Sequence, residues 1–209
     1  ENNIIYSVDN ETQTFGAFNL NTSEWYEIPA DNWFGDVFQF VYDPTQDRIL
    51  AWRQGYDTVH AIPATGGSWT PIVNGDYDSS HYWGMAYWNP LTSSPGFSDG
   101  YGWGTKNNSV YEVDFQSSSW VLKRDNSNDG NPPRSNMQYA PNADGSKLYR
   151  FGGEGNISGS QYECSLTYWY NNNSYCWTRG IWELDLNTFE YSTIMPLDDA
   201  GIPINGSFM

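Results

Sequence analysis

The segment IWELDLNTFEY, residues 181–191, contains the pattern that decides the fold. An alternating apolar strand ends at an aspartate, and a large aromatic residue follows six positions later. Three earlier segments repeat this pattern: GAFNLNTSEW (16–25), HAIPATGGSW (60–69) and VYEVDFQSSSW (110–120). A strand, a short polar turn and an aromatic residue that opens the next strand are typical of a β-hairpin. The sequence therefore predicts four copies of one hairpin.

A second pattern precedes three of these hairpins. The tripeptides YDP (42–44), WNP (88–90) and YAP (139–141) each follow a short apolar run and lead, after a polar turn, into another apolar strand. Proline suits the end of a strand because it needs no ladder hydrogen bond there. Joined to the hairpins, these segments predict units of four antiparallel strands.

The spacing of the units predicts a β-propeller. Their equivalent positions are Asn19, Pro63, Asp114 and Asp185, at intervals of 44, 51 and 71 residues. Four-stranded antiparallel units at this period are propeller blades, and an aromatic content of 18% supports an all-β fold. We expect one domain, 1–209, with blades at 1–30, 37–73, 82–124 and 136–195 and a further strand near 205–209. A small ring closed by its termini and a segment of a larger propeller both fit; the abrupt end of the chain favours the segment.

The last unit resembles a kelch repeat. KLYRFGG (147–153) has a double glycine after its strand, and the following segment contains a spaced aromatic pair, Trp182 and Tyr191. The third unit keeps only the downstream half of this motif, and the first two lack a double glycine at the end of the equivalent strand. The resemblance implies a β-propeller, and a likeness at the level of fold says little about activity.

Charge and hydropathy exclude two classes of partner. The net charge is −16, and the nine Lys and Arg residues are scattered along the chain. Because no basic patch can neutralise phosphates, neither nucleic acid nor an anionic membrane surface is an expected partner. No apolar stretch approaches the ~18 residues of a membrane-spanning helix. The chain opens ENNIIYSV without a signal peptide, so we expect the mature form of the protein if it is secreted.

Cysteines and sequons predict an extracellular protein. Cys164 and Cys176, the only cysteines, lie in a long polar and aromatic loop, 156–179, that accounts for the longest interval. A disulfide between them would stabilise the fold and indicate an oxidising compartment; two free thiols are the alternative. Six Asn-X-Ser/Thr sequons predict glycosylation. They begin at Asn10, Asn21, Asn107, Asn156, Asn172 and Asn205.

Catalytic and metal-binding patterns are weak. The chain has two histidines and no clustered metal ligands, and no catalytic carboxylate pair stands out, so enzymatic activity is not favoured. Asp125, Ser127 and Asp129 place oxygen atoms at alternate positions, as in the first half of a calcium loop. The twelfth position is Asn136 rather than glutamate, which favours a solvated loop without a cofactor.

The aromatic residues divide into two predicted groups. The repeat aromatics are predicted to fill the interfaces between blades: Trp25, Trp69, Trp120, Trp182 and Tyr191. Aromatics predicted to lie in loops would contact a partner. The latter are Trp33, Tyr82, Trp83, Tyr168, Trp169 and Tyr170.

These features favour a non-catalytic module that mediates protein interaction or self-assembly, as a secreted or cell-surface glycoprotein. A subunit of an extracellular fibre or coat is one form of this hypothesis. The alternative is a carbohydrate-binding, lectin-like propeller or a carbohydrate-active enzyme with an acidic cleft, because loop aromatics also stack on sugars.

Overall fold

The computed structural model describes residues 3–53, 58–74, 85–98, 109–125, 138–151, 154–156, 164–170, 173–178 and 181–195. Over 154–178, and at residues 38, 138, 193 and 195, the description covers the backbone alone. These residues form strands and turns without a helix, and the predicted all-β fold of propeller blades is confirmed. No helix in the described part of the chain could span a membrane. The chain divides into two compact units, residues 1–79 with 114–120 and residues 80–113 with 121–209.

The first unit contains two blades. Its strands are β1 (Ile4–Asp9), β2 (Thr14–Asn19), β3 (Glu24–Ile28), β4 (Ala30–Asp31), β5 (Val37–Asp43), β6 (Arg48–Arg53), β7 (Val59–Pro63), β8 (Gly67–Ser68) and β9 (Thr70–Val73). The first blade is the antiparallel sheet β1-β2-β3, and the second is β5-β6-β7-β9. The short strands β4 and β8 pair in parallel between them.

The remaining strands form two further blades and a small sheet. They are β10 (Met85–Asn89), β11 (Ser94–Ser98), β12 (Val110–Asp114), β13 (Ser119–Arg124), β14 (Gln138–Pro141), β15 (Lys147–Phe151), β16 (Glu154–Asn156), β17 (Cys164–Tyr170), β18 (Asn173–Thr178), β19 (Ile181–Asp185) and β20 (Glu190–Met195). The third blade is β10-β11-β12-β13, the fourth is β14-β15-β19-β20, and β16-β18-β17 form the small sheet.

One type of turn recurs in the blade hairpins. At its start an Asp or Asn side chain accepts a hydrogen bond from the backbone N–H two residues later, at 2.8–2.9 Å. Four positions after it, a residue other than glycine has positive φ. The local side-chain bond competes with strand pairing and so ends the strand. The pairs are Asp9 and Gln13, Asn19 and Ser23, Asp43 and Asp47, Asn89 and Ser93, Asp114 and Ser118, and Asp185 and Phe189.

The core of the first unit lies between its two blades. Phe15 of β2 meets Trp69 edge to face, with ring centroids 5.8 Å apart. Phe15 also contacts Phe40 and Tyr6, so one ring joins residues of both blades. The buried members are Phe15, Ala17, Ile28, Val37, Ile49, Ala51, Ile62 and Trp69.

The second unit has a comparable core between the third and fourth blades. Its buried members are Tyr87, Val110, Leu148, Leu184 and Leu186, and Tyr139, Phe189 and Tyr191 pack around them. Val110 of the third blade and Phe15 of the first both lie four residues before the end of the equivalent strand. The same blade face is therefore used in both cores.

The predicted loop 156–179 is partly wrong, because much of it is sheet. CSLTYWY and NSYCWT form β17 and β18, which pair antiparallel on either side of two asparagines. Tyrosine, tryptophan and threonine favour strands, which explains the hairpin. Tyr168, Trp169 and Tyr170 therefore belong to a strand rather than a loop.

Candidate interaction surfaces

The first blade buries only one of its faces. Burial along β1 alternates, and Ile4, Tyr6 and Val8 pack against the core while Ile5 and Ser7 are exposed. Successive side chains of a strand point to opposite faces, so the odd positions of β1 lie on an uncovered face. We call this the outer face of the first blade.

An apolar row crosses the outer face. Ile5 of β1 lies opposite Phe18 of β2, and Phe18 lies opposite Trp25 of β3. Ile5 is 50% exposed and Trp25 is 63% exposed. The rings of Phe18 and Trp25 are in contact, with centroids 5.0 Å apart. Three neighbouring strands thus present apolar side chains to solvent.

Several equivalent positions of the other blades are buried. Trp69, the counterpart of Trp25, is 3% exposed. Ile62 and Leu184, the counterparts of Phe18, are fully buried. The prediction that Trp25 fills a blade interface is therefore wrong for this structure, whereas Trp69 does so because Phe15 of the first blade covers it.

The face of the fourth blade that carries Ile181 is partly exposed, and we call it the end face. Along β19, Trp182 and Leu184 are buried while the alternate residues are only partly buried. Phe151 of β15 is 41% exposed and lies opposite Ile181. On the same face, Lys147 Nζ lies 2.7 Å from Glu183 Oε1. This face combines an apolar pair with charged side chains, among them the ion-paired Lys147 and Glu183.

The loop aromatic Trp33 packs inward. Its half-buried indole contacts the rings of Phe34 and Trp69, both at 6.3 Å between centroids. The indole Nε1 atoms of Trp33 and Trp69 are buried and have no hydrogen-bond partner among the described residues. Tyr82 and Trp83 lie outside the described residues.

Phe34 stacks on a histidine of the second blade. The rings of Phe34 and His60 are 3.8 Å apart and nearly parallel. Burial lowers the pKa of His60 below its usual 6.5, and the charge of Arg53 lowers it further, while a backbone hydrogen bond at Thr58 opposes both effects. A neutral imidazole is therefore the form that this stack favours.

A buried carboxylate that no sequence pattern indicates lies in the third blade. Glu112 is 2% exposed and its Oε1 accepts a hydrogen bond from Asn89 Nδ2 at 2.6 Å. Thr92 Oγ1 donates to Oε2 at 3.3 Å, and Lys123 Nζ lies 3.6 Å from the same atom. Burial, then the charge of Glu112, raise the pKa of Tyr87 well above its usual value. Because Glu112 is held by several partners, we assign it a structural role.

A second polar cluster joins the third and fourth blades. Ser98 Oγ lies 2.7 Å from the hydroxyl of Tyr191 and accepts a hydrogen bond from the Tyr139 hydroxyl at 2.9 Å. The guanidinium of Arg150 lies over both rings, 5.2 Å from the centroid of Tyr139 and 5.0 Å from that of Tyr191. Burial raises the pKa of Tyr139 well above its usual value. These contacts hold the two tyrosine rings against Arg150 and link the third blade to the fourth.

The candidate glycosylation sites differ in environment. Asn10 is part-buried, and its side chain donates to Val37 O at 2.9 Å and accepts from Val37 N at 2.8 Å. Asn21 is exposed in the β2–β3 turn, where its Oδ1 accepts from Asn3 Nδ2. Asn156 lies in β16, where only the backbone is described. Asn107, Asn172 and Asn205 lie outside the described residues.

The predicted disulfide and calcium sites stay predictions. In the hairpin β17–β18, Cys164 lies opposite Thr178 and Cys176 lies opposite Thr167, with an irregularity beside Cys164. Cysteines two positions out of register are diagonal neighbours, ~7–8 Å apart, beyond the usual ~4.4–6.8 Å between bridged Cα atoms. Asp125 is exposed, and its proposed co-ligands Ser127 and Asp129 lie outside the described residues.

Comparison with known proteins gives structural likeness only. No protein-family model matches the chain, and no curated protein matches it in sequence. A protein of unknown function from Bacteroides thetaiotaomicron matches 99% of this chain and 49% of its own, at 13% identity and a TM-score of 0.64. Hydrazine synthase from Kuenenia stuttgartiensis matches 95% of this chain and 56% of its own, at 10% identity and a TM-score of 0.54. A chain from a nidogen/laminin complex matches at 14% identity, 93% and 76% coverage and a TM-score of 0.50.

These similarities show a β-propeller-type fold and do not single out the kelch repeat. The chain spans about half the length of the first two structures that it resembles. Identities this low indicate a shared fold without indicating a shared activity.

Proposed function

We propose that this chain is an extracellular, glycosylated β-propeller module that binds a protein partner through the outer face of its first blade. The observation that carries the proposal is the exposed row Ile5–Phe18–Trp25. An apolar patch on neighbouring strands is unfavourable in water unless something covers it. Tryptophan is also among the residues that contribute most to protein interfaces.

The repeat supports a protein rather than a sugar as the partner. An exposed indole can stack on a sugar ring, which is the basis of the carbohydrate-binding alternative. However, the counterpart residue Trp69 is covered by apolar side chains of a neighbouring sheet, Phe15 among them. One of the similar structures comes from a nidogen/laminin complex, which agrees with a role in protein interaction.

Glycosylation and secretion form part of the same proposal. Among the sequon asparagines with described side chains, Asn21 is exposed while the Asn10 amide is held by Val37. We therefore expect a glycan on Asn21 in preference to Asn10. We also assign the repeat to the kelch type, because the buried Trp182 and the glycine pair after β15 match that motif.

Site-specific photo-crosslinking tests the protein partner. A photoreactive phenylalanine analogue replaces Trp25 in one sample and Leu91, an equally apolar exposed residue in a turn of the third blade, in the control. Both labelled proteins are irradiated in extracellular fluid from the organism that produces the protein. The label at position 25 should give a discrete protein adduct, and the label at position 91 should give none. No adduct at position 25, together with specific binding on a glycan array that Trp25→Ala abolishes, would favour the sugar-binding alternative instead.

A further inference from the structure

We propose that the partner covering the outer face of the first blade is the end face of the fourth blade of a second copy of this chain. The inference rests on the proposed function, since it names the partner of the same surface. It follows from comparing these two faces with the blade interface within the first unit.

The interface between the first and second blades shows which side chains cover a repeat tryptophan. Trp69 of the second blade is covered by the row Val8–Phe15–Ile28, which crosses β1, β2 and β3. Phe15 lies four residues before the last residue of its strand, Asn19. A blade therefore covers its neighbour's tryptophan with the apolar side chains of this row.

The end face of the fourth blade carries the equivalent row. Ile181 lies four residues before Asp185, as Phe15 does before Asn19. Phe151 lies opposite Ile181 on the preceding strand, as Val8 lies opposite Phe15. The face that covers Trp69 in the first blade is thus repeated in the fourth, where Ile181 is partly exposed and Phe151 is 41% exposed.

The outer face of the first blade resembles the face of the second blade that such a row covers. Trp25 and Phe18 occupy the positions at which Trp69 and Ile62 are buried against a neighbouring blade. A face that resembles the covering row and a face that resembles the covered one are therefore both at least partly exposed in the described part of the chain. Such surfaces fit head to tail, an arrangement that either closes into a ring or continues as a filament.

Charge sets the conditions for this contact. Each copy has a net charge of −16, so two copies repel each other, and added salt screens this repulsion. On the end face the carboxylate of Glu183 is paired with Lys147 and so does not face Trp25 as an isolated charge. We expect association to strengthen as the salt concentration rises, as for an apolar contact between like-charged proteins.

Sedimentation velocity over a micromolar concentration series tests the proposal. The wild-type chain should associate reversibly, more so at high salt. Trp25→Asp on one face and Ile181→Asp on the other should each weaken association at least tenfold, and Leu91→Asp should leave it unchanged. Circular dichroism and melting temperature verify that each variant is folded, and Ile5→Asp serves as a second variant of the outer face.

Mixing the two single-face variants distinguishes a head-to-tail contact from a face that pairs with itself. Trp25→Asp keeps an intact end face and Ile181→Asp keeps an intact outer face, so together they should form a one-to-one pair and nothing larger. A wild-type chain that stays monomeric at every concentration and salt would overturn the inference. If position 25 crosslinks to a different protein, the proposed function stands and the second copy is wrong; if it crosslinks to nothing, both are wrong.

Discussion

The hydroxyl of Tyr191 lies 2.7 Å from Oγ of Ser98, which joins two blades across 93 residues of sequence. Ser98 is fully buried, and its Oγ also accepts a hydrogen bond from the hydroxyl of Tyr139. One serine hydroxyl is therefore hydrogen-bonded to two tyrosines, and removing this hydroxyl affects both hydrogen bonds. This contact allows a test of how the second unit is stabilised.

Ser98→Ala should lower the free energy of unfolding by ~1–3 kcal/mol, because two phenol hydroxyls lose a buried partner. Tyr191→Phe should cost about 1 kcal/mol, since Tyr139 keeps its bond to Ser98. Urea unfolding measures both values, and the exposed Ser192→Ala is the control. Equal effects of Ser98→Ala and Ser192→Ala would contradict this role for Ser98.

The two tryptophans at equivalent repeat positions should differ in their contribution to stability. Trp69→Ala removes a buried ring and should cost ~3–5 kcal/mol. Trp25→Ala removes an exposed ring and should change the stability of the monomer by no more than ~0.5 kcal/mol. Thermal unfolding at low protein concentration, where self-association is absent, makes the comparison. A large loss with Trp25→Ala would show that its ring is covered within the monomer.

Gly66 should not tolerate a side chain. It has a φ of +100°, and a Cβ atom there would lie 2.6 Å from the carbonyl oxygen of Pro29. Gly66→Ala should therefore cost at least ~1–3 kcal/mol. Gly67→Ala is a matched control, because Gly67 also has positive φ but its Cβ would meet nothing closer than 3.7 Å. Equal losses in urea unfolding would mean that backbone strain alone, without the contact to Pro29, sets the cost.

His60 should make the first unit sensitive to mild acid. Its pKa is lowered in the folded protein, chiefly by burial, so the unfolded chain binds a proton at higher pH than the folded chain. The stability that neutral His60 contributes is complete above the ordinary pKa of 6.5 and is lost as pH falls through the folded pKa.

The melting temperature of the wild-type chain should therefore fall more than that of His60→Gln between neutral and mildly acidic pH. The carboxylates titrate in both proteins, so the difference between the two curves isolates the histidine. Parallel curves would mean that the folded and unfolded states bind this proton equally well.

Much of the fold could be predicted from the sequence because its signals are local. Strand alternation and turn residues lie within a few positions of one another, and the position equivalent to Asn19 recurs with every blade. The sequence pattern predicts a loop where β16, β17 and β18 form a small sheet, because this segment interrupts the blade period even though its aromatic residues favour strands. In this segment the strand propensity of the individual residues predicts the structure better than the blade period does.

The candidate surfaces could be predicted less well because burial depends on distant residues. Trp25 and Trp69 have the same local pattern, and only the presence of a neighbouring blade makes one exposed and the other buried. Glu112 likewise alternates with apolar residues as a solvent-facing side chain would. It is buried because Asn89 and Lys123, from other strands of the sheet, lie close enough to bind it.

The hairpin turns suggest how such a fold persists while its sequence changes. Each turn begins with one Asp or Asn side chain that accepts a backbone hydrogen bond, and most of its other positions are exposed. Most substitutions between two strands of a blade are therefore close to neutral for folding. Over long divergence we expect the residues of these proteins to be replaced almost completely while the path of the backbone is retained.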